Sequence, residues 1–219
     1  TNTYSGNYKM PFVVRLNPDG SGAWVAAPTS NDTGKEDIEN YEIQVTSHPD
    51  GSATLAFVAL YAMKFGNLDL ARGPNSYTRS VVAHLDAGGS WVWVKNVTTS
   101  EAHIHATPSI SSFSDGSIFV GFSDGSWDTS IGELNLLGMA SFEPTSNTWF
   151  AAARLDSSGS MLWSYFEDDF GMESNGPSTR MYAVTDDDDN VHVIMDAEDS
   201  SDIVYFRTIA FDIDGNLVY

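Results

Sequence analysis

The chain has no cysteine in 219 residues, which excludes disulfide scaffolds, cysteine nucleophiles and thiolate metal centres and leaves the redox compartment open. Basic residues are scarce: 10 Lys and Arg stand against 30 Asp and Glu, for a formal charge of −20. A field of that sign repels phosphate backbones and anionic headgroups, so no nucleic-acid partner is expected. Long apolar runs are missing too. The longest, 53–65, is broken by Thr54, Tyr61 and Lys64, and no helical membrane insertion is expected. The chain opens at Thr1 with no signal-like segment, as a mature or trimmed product would. Sustained helical periodicity is the last absence: the best helical candidate, 59–71, reads better as a strand followed by a loop.

What is present is an apolar content of 42%, too high for a disordered chain and sufficient for one domain over 1–219. Internal similarity is the strongest feature. Val14-Arg15-Leu16-Asn17-Pro18-Asp19-Gly20 matches Ala83-His84-Leu85-Asp86-Ala87-Gly88-Gly89, then Ala153-Arg154-Leu155-Asp156-Ser157-Ser158-Gly159, then Ala210-Phe211-Asp212-Ile213-Asp214-Gly215. Four residues after each glycine stands an aromatic: Trp24, Trp93, Trp163 and Tyr219. A second hairpin type alternates with this one, turning at Pro49-Asp50-Gly51, Ser114-Asp115-Gly116 and Asp187-Asp188-Asp189-Asn190. Gly, Asn and Asp between runs of Val, Ile, Phe and Trp are the chemistry of tight antiparallel turns.

Two alternating hairpins per repeat make a four-stranded antiparallel sheet, and a tandem row of such sheets is a β-propeller. The expected fold is all-β, with about three and a half four-stranded blades in this chain. Open faces at both ends of the array imply a larger or oligomeric ring, completed by further blades or by another copy. The aromatic after each glycine is expected to pack against the neighbouring blade and set the spacing.

The pattern Ala-x-Leu-Asp-x-x-Gly-x-x-x-Trp at 83–93 and 153–163 resembles the repeat of bacterial β-propeller families: the seven-bladed extracellular repeat proteins called SBBP and the tryptophan-docked blades of quinoprotein-like propellers. The resemblance implies an extracellular or cell-surface propeller with a scaffold or adhesin-like role. Similar quinoprotein dehydrogenases often carry a vicinal cysteine pair, which this chain lacks.

Function is expected on the longer connections, 28–42, 61–78, 95–108, 123–148 and 167–180. There Tyr61, Arg72, Trp127 and Trp149 are candidates to stack on a sugar or grip a peptide; the competing reading is that they close small cores under the loops. Asp186, Asp188 and Asn190, and separately Asp212 and Asp214, set oxygen ligands at alternating positions, as Ca²⁺ requires, although Asp and Asn also stabilise turns unaided. His103 and His105 lie on one face of an extended segment with Glu101, a spacing that suits a divalent ion such as zinc if a third ligand arrives from elsewhere. Asn31 and Asn96 head glycosylation sequons. No nucleophile elbow is present, and the Ser114-Asp115-Gly116 turn is only faintly similar to a sialidase Asp-box. The expected role is a non-enzymatic binding or structural module of a surface protein or assembly, partnered by protein, glycan or more of itself. The alternative is a propeller enzyme acting on a glycan or small molecule through the long-loop face.

Overall fold

Runs of β-branched and aromatic residues separated by Gly, Asp and Asn produce strands throughout. The computed structural model describes residues 11–30, 43–59, 62–70, 79–99, 107–125, 134–145, 148–168, 180–198 and 204–218, and no helix occurs among them. The printed strand pairs are antiparallel. The expected all-β class therefore stands. Within 59–71 the chain forms β6 (Met63–Phe65) and β7 (Leu68–Leu70), joined by a turn in which Gly66 has φ +59°. This is a small hairpin, where a strand and a loop were expected.

An N-terminal ribbon pairs β1 (Val13–Leu16) with β2 (Gly22–Ala26). Sheet I runs β4 (Gln44–Ser47), β5 (Ala53–Ala59), β8 (Arg79–Leu85), β9 (Trp91–Thr99), and is extended by β12 (Leu134–Leu136) and β13 (Ala140–Phe142). Sheet II runs β10 (Thr107–Ser112), β11 (Ile118–Gly125), β14 (Thr148–Leu155), β15 (Met161–Asp168). Sheet III runs β16 (Arg180–Thr185), β17 (Val191–Glu198), β18 (Val204–Phe211), and the chain begins a further pairing at the Phe211–Leu217 bridge. A small separate sheet joins β3 (Thr29–Ser30) to β6 and β7. Among the described residues these sheets are open, and no closed ring is formed.

Three apolar layers separate four units. Val13 and Ala26 of the ribbon share a cluster with Leu55, Phe57, Val81 and Leu85 of sheet I. Val82, Trp93 and Val97 on the other face of sheet I meet Val120, Phe122, Ala153 and Leu155 of sheet II. Phe119, Phe150 and Ala152 on the far face of sheet II meet Met181, Val193, Ile209 and Phe211 of sheet III. The order in space is thus the order in sequence: ribbon, I, II, III. Strands β5 and β8 are buried nearly throughout because both their faces are covered, which explains why their sequences show no clean alternation. The first strands of the three sheets converge. Gln44 on β4 accepts from Ser109 Oγ and Ile110 N of β10, each at 3.2 Å, and donates to Met181 O of β16 at 3.2 Å.

Candidate functional site

Both hairpin types of a sheet turn at one end of the stack, since Arg15 Nη1 donates to Gly51 O at 2.8 Å and to Ala87 O at 2.9 Å, one carbonyl from each turn of sheet I. The glycine-aromatic hairpins share one geometry. In each, a four-residue turn is closed by the glycine N–H donating to the carbonyl three residues back, as Gly89 N does to Asp86 O at 3.0 Å. A register shift follows at Arg15/Leu16, His84/Leu85 and Arg154/Leu155. The glycines sit in the left-handed region, φ +84° at Gly89 and +81° at Gly159, where a side chain is disfavoured.

Three of the four aromatics, Trp24, Trp93 and Trp163, reach the next unit along the chain, and Tyr219 lies outside the described residues. Trp24 Nε1 donates to Ala87 O, Trp93 Nε1 to Ser157 O and Trp163 Nε1 to Ile213 O, each at 3.0 Å. Each indole lies flat over the glycine two residues further on: a Cβ added at Gly89, Gly159 or Gly215 would stand 2.6, 2.9 or 2.8 Å from the ring. The side chain opposite each tryptophan in register, Arg15, His84 or Arg154, braces the junction. Arg154 donates to Ile213 O of sheet III and to Asp115 Oδ2 and Ser117 Oγ of its own sheet; His84 stacks on Trp93 at 5.3 Å between ring centres. The packing job expected of these aromatics is what Trp24, Trp93 and Trp163 do.

Where the three inner turns, those of the second hairpin type at Gly51, Gly116 and Asp189, meet at this end there is a cleft of about 420 Å³, lined by Ser47, His48, Phe113, Ser114, Asp186 and Asp189 among others. Its walls are tied to one another. Ser112 Oγ donates to Ser47 O at 3.1 Å, and Ser111 Oγ shares a hydrogen bond with Thr185 Oγ1 at 2.7 Å. Ser114 donates through both N and Oγ to the carboxylate of Asp189. Asp189 has φ +60°, a left-handed conformation at the turn position that Gly51 and Gly116 hold in the neighbouring sheets. The strain of a non-glycine residue there is offset by the two bonds its side chain receives across the junction.

Two titratable groups of the cleft, His48 and Asp186, carry hydrogen bonds, while His48 Nδ1 is buried without a partner. His48 is buried, its Nε2 bonded to Thr54 Oγ1 at 2.9 Å, and that hydroxyl is bonded in turn to His84 Nδ1 at 3.0 Å. Burial, reinforced by the neighbouring His84, lowers the His48 pKa to about 4, so the ring is neutral at neutral pH. Burial lowers His84 as well. The Asp186 carboxyl is held at about 2, first by its bond to His192 Nε2 at 2.8 Å and then by the N–H of Asn190.

Among the oxygen-rich candidates, the carboxylates of Asp186 and Asp212 have defined partners, and Asp188 and Asp214 enter through their backbone N–H groups. Asp186 accepts from the N–H groups of Asp188 and Asn190, and Asp212 from those of Asp214 and Asn216. The two turns belong to different hairpins of sheet III, and among the described residues no three His, Asp or Glu side chains converge to hold a metal. Trp149 is buried in the layer between sheets I and II. Tyr61, Arg72, Trp127, His103 and His105 lie outside the described residues. The cleft itself is at the tight-turn end, whereas the sequence directed attention to the long connections. Its one trace in the sequence is Asp189, an aspartate standing in register where a glycine is the rule. A comparison of the chain with protein-family models finds no match, and neither does a comparison with curated proteins.

Proposed function

We propose that the chain is a segment of an exported β-propeller that acts as a non-enzymatic binding or structural module, with protein or glycan as its partner. The observation that carries the reading is the repeated lock in which an indole of one unit covers the glycine turn of the next and donates to its carbonyl, three times in the same direction. A side-by-side row of sheets with converging first strands is how propeller blades are arranged around an axis. A scaffold role is supported by the cleft, where His48 Nε2 and the carboxylate of Asp186 make hydrogen bonds within their own hairpins. Export rests on the repeat's resemblance to extracellular propellers.

The lock is tested by amide exchange. In Trp93→Ala, protection of the Gly159 amide is expected to fall while Gly89 and Gly215 keep theirs; unchanged protection at Gly159 would count against the stack. The functional half is tested by glycan and peptide arrays beside a panel of chromogenic glycosides and esters. Binding without turnover is expected. Turnover lost in Asp186→Asn at an unchanged melting temperature would replace the module reading with an enzyme acting through the cleft.

A further inference from the structure

We propose that the junction between sheets I and II carries a proton-operated release: His48 and His84 share the Thr54 hydroxyl, and a proton taken up by the pair emerges as an unpaired N–H on His48 that frees the turn beside the cleft. The release holds whatever partner the module binds. Its groups lie inside the stack, on β5, β8 and β9 and in the turn between β4 and β5.

The other two junctions are braced differently. The residue opposite each tryptophan in register is Arg15, His84 or Arg154. Arg15 Nη1 donates to Ala87 O and Arg154 Nη1 to Ile213 O, the same carbonyls that receive the indoles of Trp24 and Trp163. Arginine keeps its charge at every working pH, so those two braces do not titrate. Between sheets I and II the same position is a titratable ring, which stacks on Trp93 and turns its Nδ1 to Thr54 Oγ1 at 3.0 Å. The first residue of the inner turn varies in parallel: Phe113 in sheet II and Asp186 in sheet III stand where sheet I has His48.

Counting hydrogens along the relay shows where an added proton goes. His48, Thr54 and His84 are all buried, and the hydroxyl has one hydrogen to give. With both rings neutral, His48 Nε2–H donates to Thr54 Oγ1, the hydroxyl donates on to His84 Nδ1, and His48 Nδ1 is left as a bare acceptor. A proton added to His48 sits on Nδ1. A proton added to His84 reverses the relay: His84 Nδ1–H donates to the hydroxyl, the hydroxyl donates to His48 Nε2, and His48 must then hold its own hydrogen on Nδ1. Either way the result is an N–H at a buried atom that has no acceptor, which is a costly state. A second proton adds repulsion between two rings whose centres are 5.4 Å apart.

Charged neighbours temper this and do not cancel it. Asp50 favours the protonated form of both rings and Asp86 that of His84, yet burial is the larger effect at each and lowers both. Bonds from Ser52 hold the Asp50 carboxyl below its ordinary value, so it stays ionised throughout. From the ribbon, Arg15 reaches Gly51 O; in the adjoining turn of sheet II, Asp115 is paired with Arg154 at 2.6 Å. Lys95 packs over Gly159, in the turn that Asp156 opens, and across the cleft stand Asp186, Asp187 and Asp189. In the closed turn His48 takes its proton only at about 4, whereas a released His48 does so at the ordinary 6.5. The released form therefore binds the extra proton between those limits, and release grows as pH falls through them.

The test is amide exchange in the wild-type chain at about pH 7 and about pH 4.5, each rate divided by the intrinsic rate of an unprotected amide at that pH. Gly51 N donates to His48 O at 2.9 Å and reports the turn; Asp189 N and Gly215 N close the two turns of sheet III in the same way. The carboxyls of Asp186 and Asp212 are held below their ordinary values by hydrogen bonds, so they stay ionised in this window. Protection at Gly51 is expected to fall about fiftyfold, the ratio given by a titration that moves from about 4 to 6.5 on release, while Asp189 and Gly215 change by less than about twofold. His48→Gln keeps an amide to bond Thr54 and cannot titrate, so its Gly51 protection should also change by less than about twofold. Protection at Gly51 that holds at the lower pH overturns the inference. An equal fall at all three amides, which is global unfolding, overturns it too, as does a fall that persists in His48→Gln. Should that variant not fold, the wild-type comparison of Gly51 with Asp189 and Gly215 still decides. The Trp93→Ala exchange at neutral pH is a separate reading, so the release can fail while the lock stands.

Discussion

A glycine in this chain answers either to one demand or to two, and the difference can be measured. At Gly20 the demand is conformational alone, a φ of +82° with open space around the absent side chain. At Gly159 the φ is nearly the same, +81°, but Trp93 stands where a Cβ would go, 2.9 Å away. Gly20→Ala should therefore cost about 1 kcal/mol, the ordinary penalty of a left-handed alanine. Gly159→Ala adds displacement of a packed indole and should cost about 2 to 4 kcal/mol. Urea unfolding of both variants gives the comparison, and equal losses would mean that the indole contact contributes nothing. The Gly-x-x-x-Trp spacing was legible in the sequence because turn and aromatic are local. The braces were not: that Arg15 and Arg154 reach carbonyls 36 to 72 positions away depends on which sheet is the neighbour.

At the scale of elements, the seven hairpins were legible for the same local reason, each being a turn between two short apolar runs. The hairpin of β12 and β13 was not. It lies in the 123–148 connection of sheet II, yet β12 pairs with the edge of sheet I, Leu134 opposite Thr99 and Asn135 opposite Thr98. It is thus a strap from one sheet to the previous one, and Leu134, Leu136 and Leu137 on it are buried in the layer between sheets I and II. Leu134→Ala should cost about 2 to 4 kcal/mol, as truncation of a fully buried leucine does. Amide exchange should locate the loss in both sheets; a loss confined to the hairpin would show that the strap holds nothing but itself.

For the whole molecule, pH acts through the buried imidazoles. The unfolded chain takes up a proton at His48 as pH falls through the ordinary value of 6.5, whereas the folded ring stays neutral down to about 4. Between those limits the unfolded state binds the extra proton, so stability is full above about 6.5 and falls by roughly 2 to 3 kcal/mol by pH 4. His84, lowered by burial, acts in the same sense. Asp186 contributes the opposite kind of group: its stabilisation persists through this window and is lost only below the ordinary carboxylate value of 3.8, toward about 2. Chemical unfolding at a series of pH values should show the decline, and His48→Gln should flatten part of it; a flat wild-type profile from pH 7 to 4 would contradict the buried neutral ring. The sequence by itself determined the strand class, the two alternating turn types and the interval at which aromatics recur, because each is set by residues within a few positions of one another. Only the tertiary structure decided which turn each indole covers, where three inner turns leave a cleft and which histidines share one hydroxyl, because those depend on distant strands being brought side by side.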